Sequence, residues 1–487
     1  MEIRNVFYLI IVMLLFGAET AFSQVPRLLT LSEVVAIAQQ QSSTARQATT
    51  RKNSGKWNYK IFRSRYLPSL NLTGTIPDFS NSISNTLQPD GSQAFRQRTL
   101  SNSNSGLNLS QNIGPTGGTI SVSSQLQRLD IFDNTHTSSY LAQPLVIGLN
   151  QPLFRFNQLR WDNKIEPLKY LETQLQYGED MENVSFQAST LFFNLLVSQT
   201  NYEASAKNKT NTDTLYKISQ GRYNLGKIAE NELLQLELAT MNAQNQISQG
   251  ELDVQINTQR LLNYLNLPLN QEITLGIPNE LPEINVEVNK ALEEARKNRK
   301  NITSYERMRL EAQRDVRKAK ADNYLNANLS ANYGLTKSAV LISDVYKQSL
   351  PQQQVTLGFS LPIVTWGSTN AQVLTAKANQ ELTDITIQQQ QQNFEQEVIL
   401  AATQLRLYRQ KVIIARKADT IAQKRYEITS NRYLIGKITI LDLNTALNDR
   451  FQAKLAFINS LNDFWSAWYD LRRKTLYDFE RGEVIKY

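Results

Sequence analysis

Two copies of one short motif, about 210 residues apart, constrain this chain more than any other feature. The first is Arg222-Tyr223-Asn224-Leu225-Gly226-Lys227-Ile228, and the second is Arg432-Tyr433-Leu434-Ile435-Gly436-Lys437-Ile438. Each lies between two long polar-amphipathic runs. A Gly that interrupts a helical pattern, with β-branched residues just beyond it, predicts a tight turn between two helices. Acidic residues follow at matching places, Glu232 and Asp442. The chain therefore reads as an internal two-fold sequence duplication, which overrides the several-domain expectation that 487 residues would otherwise raise.

Distances measured outward from the turns give the plan. Pro152 to Arg222 is about 70 residues, and Pro362 to Arg432 is about 70 as well. Leu168, Leu171 and Leu175, then Val184, Ala188, Leu191 and Leu195, recur at steps of three and four, which is helical coiled-coil spacing. Helices of that length would run roughly 100 Å. They need partners to cover their apolar stripes. The return helices, about 229–265 and 441–479, are shorter. Polar helices at 43–65 and 302–322 make up the difference. Short amphipathic helices are expected at 30–41, opened by a Ser/Thr cap with Glu in the first turn, and at 286–299.

Between the helices the period switches from helix to strand. Tyr66 to Gly74 alternates apolar and polar residues, as do Leu145 to Phe154, Tyr324 to Tyr333 and Gln354 to Val364. Residues 78–97 are rich in Ser, Asn and Gln and read as a loop. Gly106 to Leu129, turning at Gly114-Pro115-Thr116-Gly117-Gly118, reads as a hairpin, preferred as an extended outer loop; if it joins the sheet instead, the strand count rises. The first structural repeat then spans 24–280, with strands at about 66–154 and a helical hairpin at about 157–266. The second spans 281–487, with strands at about 324–364 and a hairpin at about 369–479.

Residues Met1 to Ser23 resemble a secretory signal: Arg4, the apolar core Val6 to Phe16, and Ala21-Phe22-Ser23 before Gln24. An uncleaved anchor would need a longer apolar run. No later run is that long, so the mature chain either stays out of the membrane or enters it as strands. There is no Cys and one His, His136, which argues against thiol chemistry, zinc and other transition metals. No cofactor is expected. No nucleophile elbow, metal-ligand pair or phosphate loop is present, so the chain does not read as an enzyme. The net charge of +8 is modest and spread out, and export makes nucleic acid an unsuitable partner.

Strands buried in a soluble fold usually carry denser apolar runs than these. The alternation suits a wall with lipid on one face and water on the other. An exposed soluble sandwich is the other option, but nothing else in the chain could cover its sheet. About four strands per chain cannot close a barrel alone. Closure by several copies follows, since lipid does not tolerate open edges. The expected fold class is thus an α+β membrane protein: a trimeric transmembrane β-barrel, about four strands per chain, continuing into a long antiparallel α-helical coiled-coil tunnel.

Taken together, Tyr66-Leu-Pro-Ser-Leu-Asn-Leu, Gly148-Leu-Asn-Gln-Pro-Leu-Phe, Gly358-Phe-Ser-Leu-Pro-Ile-Val and the two Arg-Tyr-x-x-Gly turns resemble the TolC-type outer membrane efflux channels over essentially the whole mature chain. The resemblance implies a homotrimer in outer membrane lipid, extending into the periplasm. It also implies a periplasmic adaptor and an inner-membrane pump as partners, for export of small molecules or proteins. In this family the turns form the periplasmic tip, so Arg222, Gly226, Lys227, Arg432 and Gly436 are implied adaptor contacts. Asp442 matches an acidic position at the pore constriction, where a ring of carboxylates favours cations. Glu232 and Tyr433 match members of the closing network. Where the family often has a second acidic ring this chain has Thr445. Where it has a gate Arg this chain has Ile438, with Lys437 beside it.

The residues themselves leave plainer readings open. Glu232 and Asp442 lie in a first helical turn, where the dipole alone stabilises a carboxylate by roughly 0.3–1 kcal/mol. Thr439-Ile-Leu-Asp442 also fits a capping box. Gly226 and Gly436 could be C-caps. Arg406, Arg409, Lys411, Arg416 and Lys417 read as a solvated face, and Trp465, Trp468 and Tyr469 as coiled-coil packing. Tyr66, Phe154 and Tyr324 sit at strand ends, where an aromatic girdle would place them. A periplasmic or surface coiled-coil structural protein without transport activity is the alternative. It leaves the amphipathic strands between the helices unexplained.

Overall fold

The computed structural model describes residues 27–87, 91–132, 136–278, 280–284, 286–435, 437–438 and 440–487. The signal-like segment Met1 to Ser23 lies outside the described residues, as do Gly436 and Thr439. In chain order the elements are β1 (Arg27–Leu29), α1 (Leu31–Gln41), α2 (Ser43–Ser64), β2 (Ser69–Leu87), β3 (Gln93–Ile113), β4 (Gly118–Phe132), β5 (His136–Leu153), α3 (Gln158–Asn224) and α4 (Glu230–Leu265). Then come β6 (Ile273–Leu275), α5 (Val288–Asn298), α6 (Lys300–Asp322), β7 (Asn326–Ala339), β8 (Leu350–Ser360), α7 (Ser368–Leu434), α8 (Ile440–Thr475), β9 (Tyr477–Asp478) and β10 (Glu483–Val484). The long helices α3 and α7 have 67 residues each, and the return helices α4 and α8 have 36 each. Among the described residues no helix is long and apolar enough to cross a membrane.

The chain divides into two compact units, and each draws on both halves of the sequence. One takes the described residues up to 50, with 177–299 and 395–487. It opens with the expected capping box: Glu33 N–H donates to the Thr30 hydroxyl, and the Glu33 carboxylate accepts the Thr30 N–H at 2.8 Å. That cap sets Leu31, Val34 and Ala38 on the buried face of α1. In the same unit Phe192, Phe193 and Leu195 of α3, Leu261, Leu262 and Leu265 of α4, and Leu461 and Phe464 of α8 are also buried. A short parallel pair, Leu29 opposite Leu275, joins β1 to β6. Asn266 ends α4 in the left-handed conformation at φ 57°, and Leu267 N–H donates back to Leu262 O at 2.9 Å. Trp468 and Tyr469 are buried in this unit, as packing residues should be.

The other unit takes residues 51–176 and 300–394 and contains a six-stranded antiparallel sheet in the order β2-β3-β4-β5-β7-β8. This corrects the count of about four strands. Residues 78–97 are not wholly a loop, because β2 runs to Leu87 and β3 starts at Gln93. The Gly106–Leu129 hairpin is not an outer loop either; it is β3 and β4, both interior to the sheet. Composition misled here because Ser and Asn dominate. The period-two signal survives only as widely spaced Phe79, Ile83 and Phe95, each more than half exposed. Leu361 to Val364, in contrast, lie beyond the end of β8.

Register sorts the sheet into two faces. Leu70, Leu109, Val122, Ile147 and Tyr333 form one row across five strands. Ile120, Leu149, Ala331 and Val355 form another on the same face. One residue along, Ser69, Ser110, Ser121, Gly148, Asn332 and Gln354 form a polar row through all six strands. Successive residues of a strand point to opposite faces, so one face is apolar and the other is small and polar. The strands' charged residues, Asp78, Arg96, Arg98, Arg128, Asp130 and Lys337, lie toward one end. They leave about ten rows uncharged, close to the 9–11 residues per strand that cross a bilayer.

Candidate functional site at the two helical turns

The two motifs share one helix-closing backbone bond. In the first, Gly226 takes φ +65° and its N–H donates to Tyr223 O at 2.8 Å. Lys227 N–H donates to Arg222 O at 2.9 Å, and the two bonds together are the Schellman closure of α3. In the second, Lys437 N–H donates to Arg432 O at 3.0 Å, the same six-to-one bond. A Cβ built at Gly226 would meet nothing within 4 Å. Glycine is thus required there by backbone conformation and not by crowding. The expected glycine of the second turn, Gly436, lies outside the described residues.

The return helices start with acid, as expected. Ala229 caps α4 with no side-chain hydrogen bond, and Glu230 and Glu232 occupy the first turn. Asp442 occupies the first turn of α8. Glu232 and Asp442 are both exposed. Thr445, exposed as well, donates its hydroxyl to Leu441 O at 2.9 Å on its own helix. Arg222, Leu225, Lys227, Arg432, Ile435, Lys437 and Leu441 are all exposed, so each turn presents basic and apolar side chains together. Ile438 is half-buried. Tyr433 is in the last turn of α7, and its side chain lies outside the described residues.

Each hairpin is braced behind its turn. In the first, Asn257 donates to the Ser198 hydroxyl at 2.7 Å, and Tyr264 donates its hydroxyl to Val184 O at 3.2 Å. A Cβ at Gly250 would stand 3.3 Å from the Tyr202 backbone, so the helices are in close contact there. The second hairpin is braced by charge. Arg425 meets Asp449 at 2.5 Å, Lys454 meets Asp419 at 3.7 Å, and the Arg450 guanidinium lies 4.9 Å from the Tyr426 ring centre. The Lys207 hydrogen bond holds the Glu203 carboxyl below its ordinary range, helped by the charges of Lys207, Arg450 and Lys454. The basic cluster on α7 is not uniformly solvated. Arg409 donates to Ile284 O at 3.0 Å, and Arg416 lies 5.6 Å from the Phe457 ring centre.

A stripe on α7 escaped the sequence reading. Leu400, Leu407, Ile414, Ile421 and Ile428, with Ile435 just past the helix end, recur at strict intervals of seven, and each is between 54% and 65% exposed. An apolar seam of that period calls for a helical partner wound with left-handed twist. On α4, Leu234, Leu238 and Met241 are exposed in the same way. Scanning α7 for a period of seven would have found the stripe. Near the sheet, Ile363, Val364 and Trp366 are exposed beyond β8, and Phe154 and Tyr324 beside β5 and β7. Tyr66 differs: it is half-buried and donates its hydroxyl to Leu159 O at 2.7 Å.

Comparison with known proteins bears on this architecture. A model of the outer membrane efflux protein family matches residues 34–267 and again 291–475. Among solved structures, the Campylobacter jejuni CmeC outer membrane channel is 17% identical, with a TM-score of 0.66 over 94% of this chain and 87% of that one. The outer membrane protein VceC from Vibrio cholerae is 14% identical, with a TM-score of 0.63 over 91% of this chain and 95% of that one. A membrane protein from Pseudomonas aeruginosa is 14% identical, with a TM-score of 0.65 over 93% and 92%. At such identities the likeness is one of fold. No curated protein matches the sequence.

Proposed function

The chain belongs to the outer membrane efflux protein family, and from that premise we propose that it works as a homotrimeric export duct, built by internal duplication and energised by partners. It is an outer membrane channel of tripartite efflux systems, extending into the periplasm. Passage through such a duct is passive, and the energy comes from an inner-membrane pump acting through a periplasmic adaptor.

One observation carries the trimer: the sheet of one chain is amphipathic and open at both edges, β2 and β8. Six strands are too few to close alone, and an unpaired edge in lipid costs several kcal/mol per backbone group. Copies must supply the edges. The heptad stripe Leu400 to Ile435 supports the same assembly, since a neighbouring helix would cover it. Trp366, Phe154 and Tyr324 suit the aromatic belt where lipid meets water. The matched lengths of α3 with α7 and α4 with α8, and the double family match, support the duplication.

Within the trimer the turns are the mouth. Arg222, Gly226, Lys227, Arg432 and Gly436 would meet the adaptor, and Asp442 would line the constriction as a ring of three. Glu232, Tyr433, Lys437 and Thr445 would surround it. Thr445, bonded to its own backbone, adds a hydroxyl ring and no second charge. Light scattering on protein extracted from outer membranes in detergent tests the assembly. A mass of three chains is expected; a monomer soluble without detergent would favour the coiled-coil structural reading.

A further inference from the structure

The six-stranded sheet changes what the duct can pass. We propose that both hairpins of the first half, β2-β3 and β4-β5, are wall elements, so that three copies close eighteen strands around a wide lumen whose charged positions are confined to one end. Cargo of macromolecular girth then clears the barrel, and size selection falls on the helical mouth. The proposal rests on the trimer reading above and adds the strand count, the width and the cargo class.

The register carries it. β3 pairs with β4 without a break from Leu100 opposite Ile131 to Ile113 opposite Gly118. The β2-β3 hairpin therefore cannot leave the wall without giving up that whole ladder. Its faces also match the wall: Leu70 and Leu109 continue the apolar row of Val122 and Ile147, and Ser69 and Ser110 continue the polar row of Ser121 and Gly148. An outer loop has no need of such continuity. The edges offered to the next copy are β2 on one side and β8 on the other.

Width follows from strand number. Strands about 4.8 Å apart and tilted by about 40° make a backbone cylinder about 36 Å across for eighteen strands, and about 24 Å for twelve. With side chains of about 5 Å on each wall, the clear lumen is roughly 25 Å in one case and 14 Å in the other. The lumen face is lined by small uncharged groups, Ser110, Ser121, Asn108, Ser123, Gly148 and Asn332. Such a wall does not narrow the passage, and the charged positions on the same face, Asp78, Arg96 and Arg98, lie toward one end of it.

The natural chain has no Cys, so introduced thiols are the only ones present. The test pairs one cysteine in β2 (Asn71, Leu72 or Thr73) with one in β8 (Thr356, Leu357 or Gly358) in the full chain in membranes. Bridging needs Cα atoms within about 4.4–6.8 Å. Expected are oxidised ladders of two and three chains from at least one β2–β8 pair. Ladders between β8 and β4 (Ser121, Val122 or Ser123) instead, or none from particles of trimer mass, would overturn the proposal. A monomeric mass would overturn the trimer reading itself. For width, Asn108→Cys on intact cells is labelled with maleimides on polymers of graded diameter. Labelling should fall less than about threefold up to roughly 20 Å, whereas a cutoff near 14 Å, with a fall of tenfold or more, would overturn it.

Discussion

Arg472 and Glu182, 290 residues apart in the chain, meet as a fork, with Nε and Nη2 donating to the two carboxylate oxygens at 3.1 and 3.0 Å. Glu182 is fully buried and also accepts the Tyr487 hydroxyl at 2.6 Å. Arg472 gives its remaining arm to Asp478 at 2.6 Å. The pair ties α3 to α8 within one compact unit. Removing one partner strands a charge away from water, at a cost of about 3–5 kcal/mol. Glu182→Ala should therefore lower the thermal midpoint strongly and reduce the folded yield. Replacing both partners, Glu182→Gln with Arg472→Met, should recover part of the loss.

Tyr264 sets an alkaline limit. Burial pushes its hydroxyl from 10.0 up to about 12, against a smaller opposing hydrogen bond with Thr44. The folded state thus holds a proton that the unfolded state releases first. That stabilisation is complete below pH 10 and is lost as pH rises toward about 12. Thermal midpoints measured across this window should fall. Tyr264→Phe should make the fall shallower, at a cost of about 1 kcal/mol at neutral pH for the lost bond to Val184 O.

The helical plan was legible because its signals are local. A Gly that breaks a periodic run needs no distant partner to declare itself, and Gly226 does take φ +65°. Thr30 and Glu33 likewise announce the cap they make. The strand count was not legible. In β2 and β3 the polar face is mostly Ser and Asn, and the apolar partners Phe79, Ile83 and Phe95 are too sparse to stand out from loop composition. Only pairing with β4 reveals them as strands of the sheet. Leu29 opposite Leu275, and Arg472 on Glu182, are long-range choices that no window of sequence contains. At the turns the acidic first-turn residues were foreseen, but the stripe from Leu400 to Ile435 was hidden by a coarser search for steps of three and four.

That stripe makes a prediction about assembly. Ile421 and Ile428 are 58% and 61% exposed in one chain and would be covered by a neighbour's helix. Ile421→Asp with Ile428→Asp would put two carboxylates into an apolar seam, where each costs several kcal/mol. Loss of trimers by light scattering in detergent is expected, with the circular-dichroism helix signal retained. Ile421→Leu with Ile428→Leu, which keeps the seam apolar, serves as the control and should leave trimers intact. Trimers that survive the double substitution would show that the seam is not the subunit contact.

Gly226 separates folding from docking. At φ +65° a β-branched residue is strained, although the space around it is open. Gly226→Val should cost about 1–2 kcal/mol, too little to dismantle a trimer. Export should fall nonetheless, because the altered turn no longer presents Arg222 and Lys227 as the adaptor requires. Gly226→Asn, which tolerates the left-handed region, should fold as the natural protein does and recover more export than Val. Equal export from all three would remove the first turn from the docking surface.

Asp442 separates the helix-dipole role from the pore role. In the first turn of α8 its carboxylate stabilises the helix by roughly 0.3–1 kcal/mol whatever else it does. Three copies facing one constriction would add a ring of negative charge that favours cations. Asp442→Asn keeps the size of the side chain and removes the charge, so stability should change by less than about 1 kcal/mol. In planar bilayers the cation preference should shrink severalfold, and block by multivalent cations should weaken. Glu232→Gln, the matching change at the first turn, should have the smaller effect, because the resemblance assigns the ring to the second turn alone. Selectivity unchanged by Asp442→Asn, in a channel that still conducts, would leave this carboxylate with only its helix to serve.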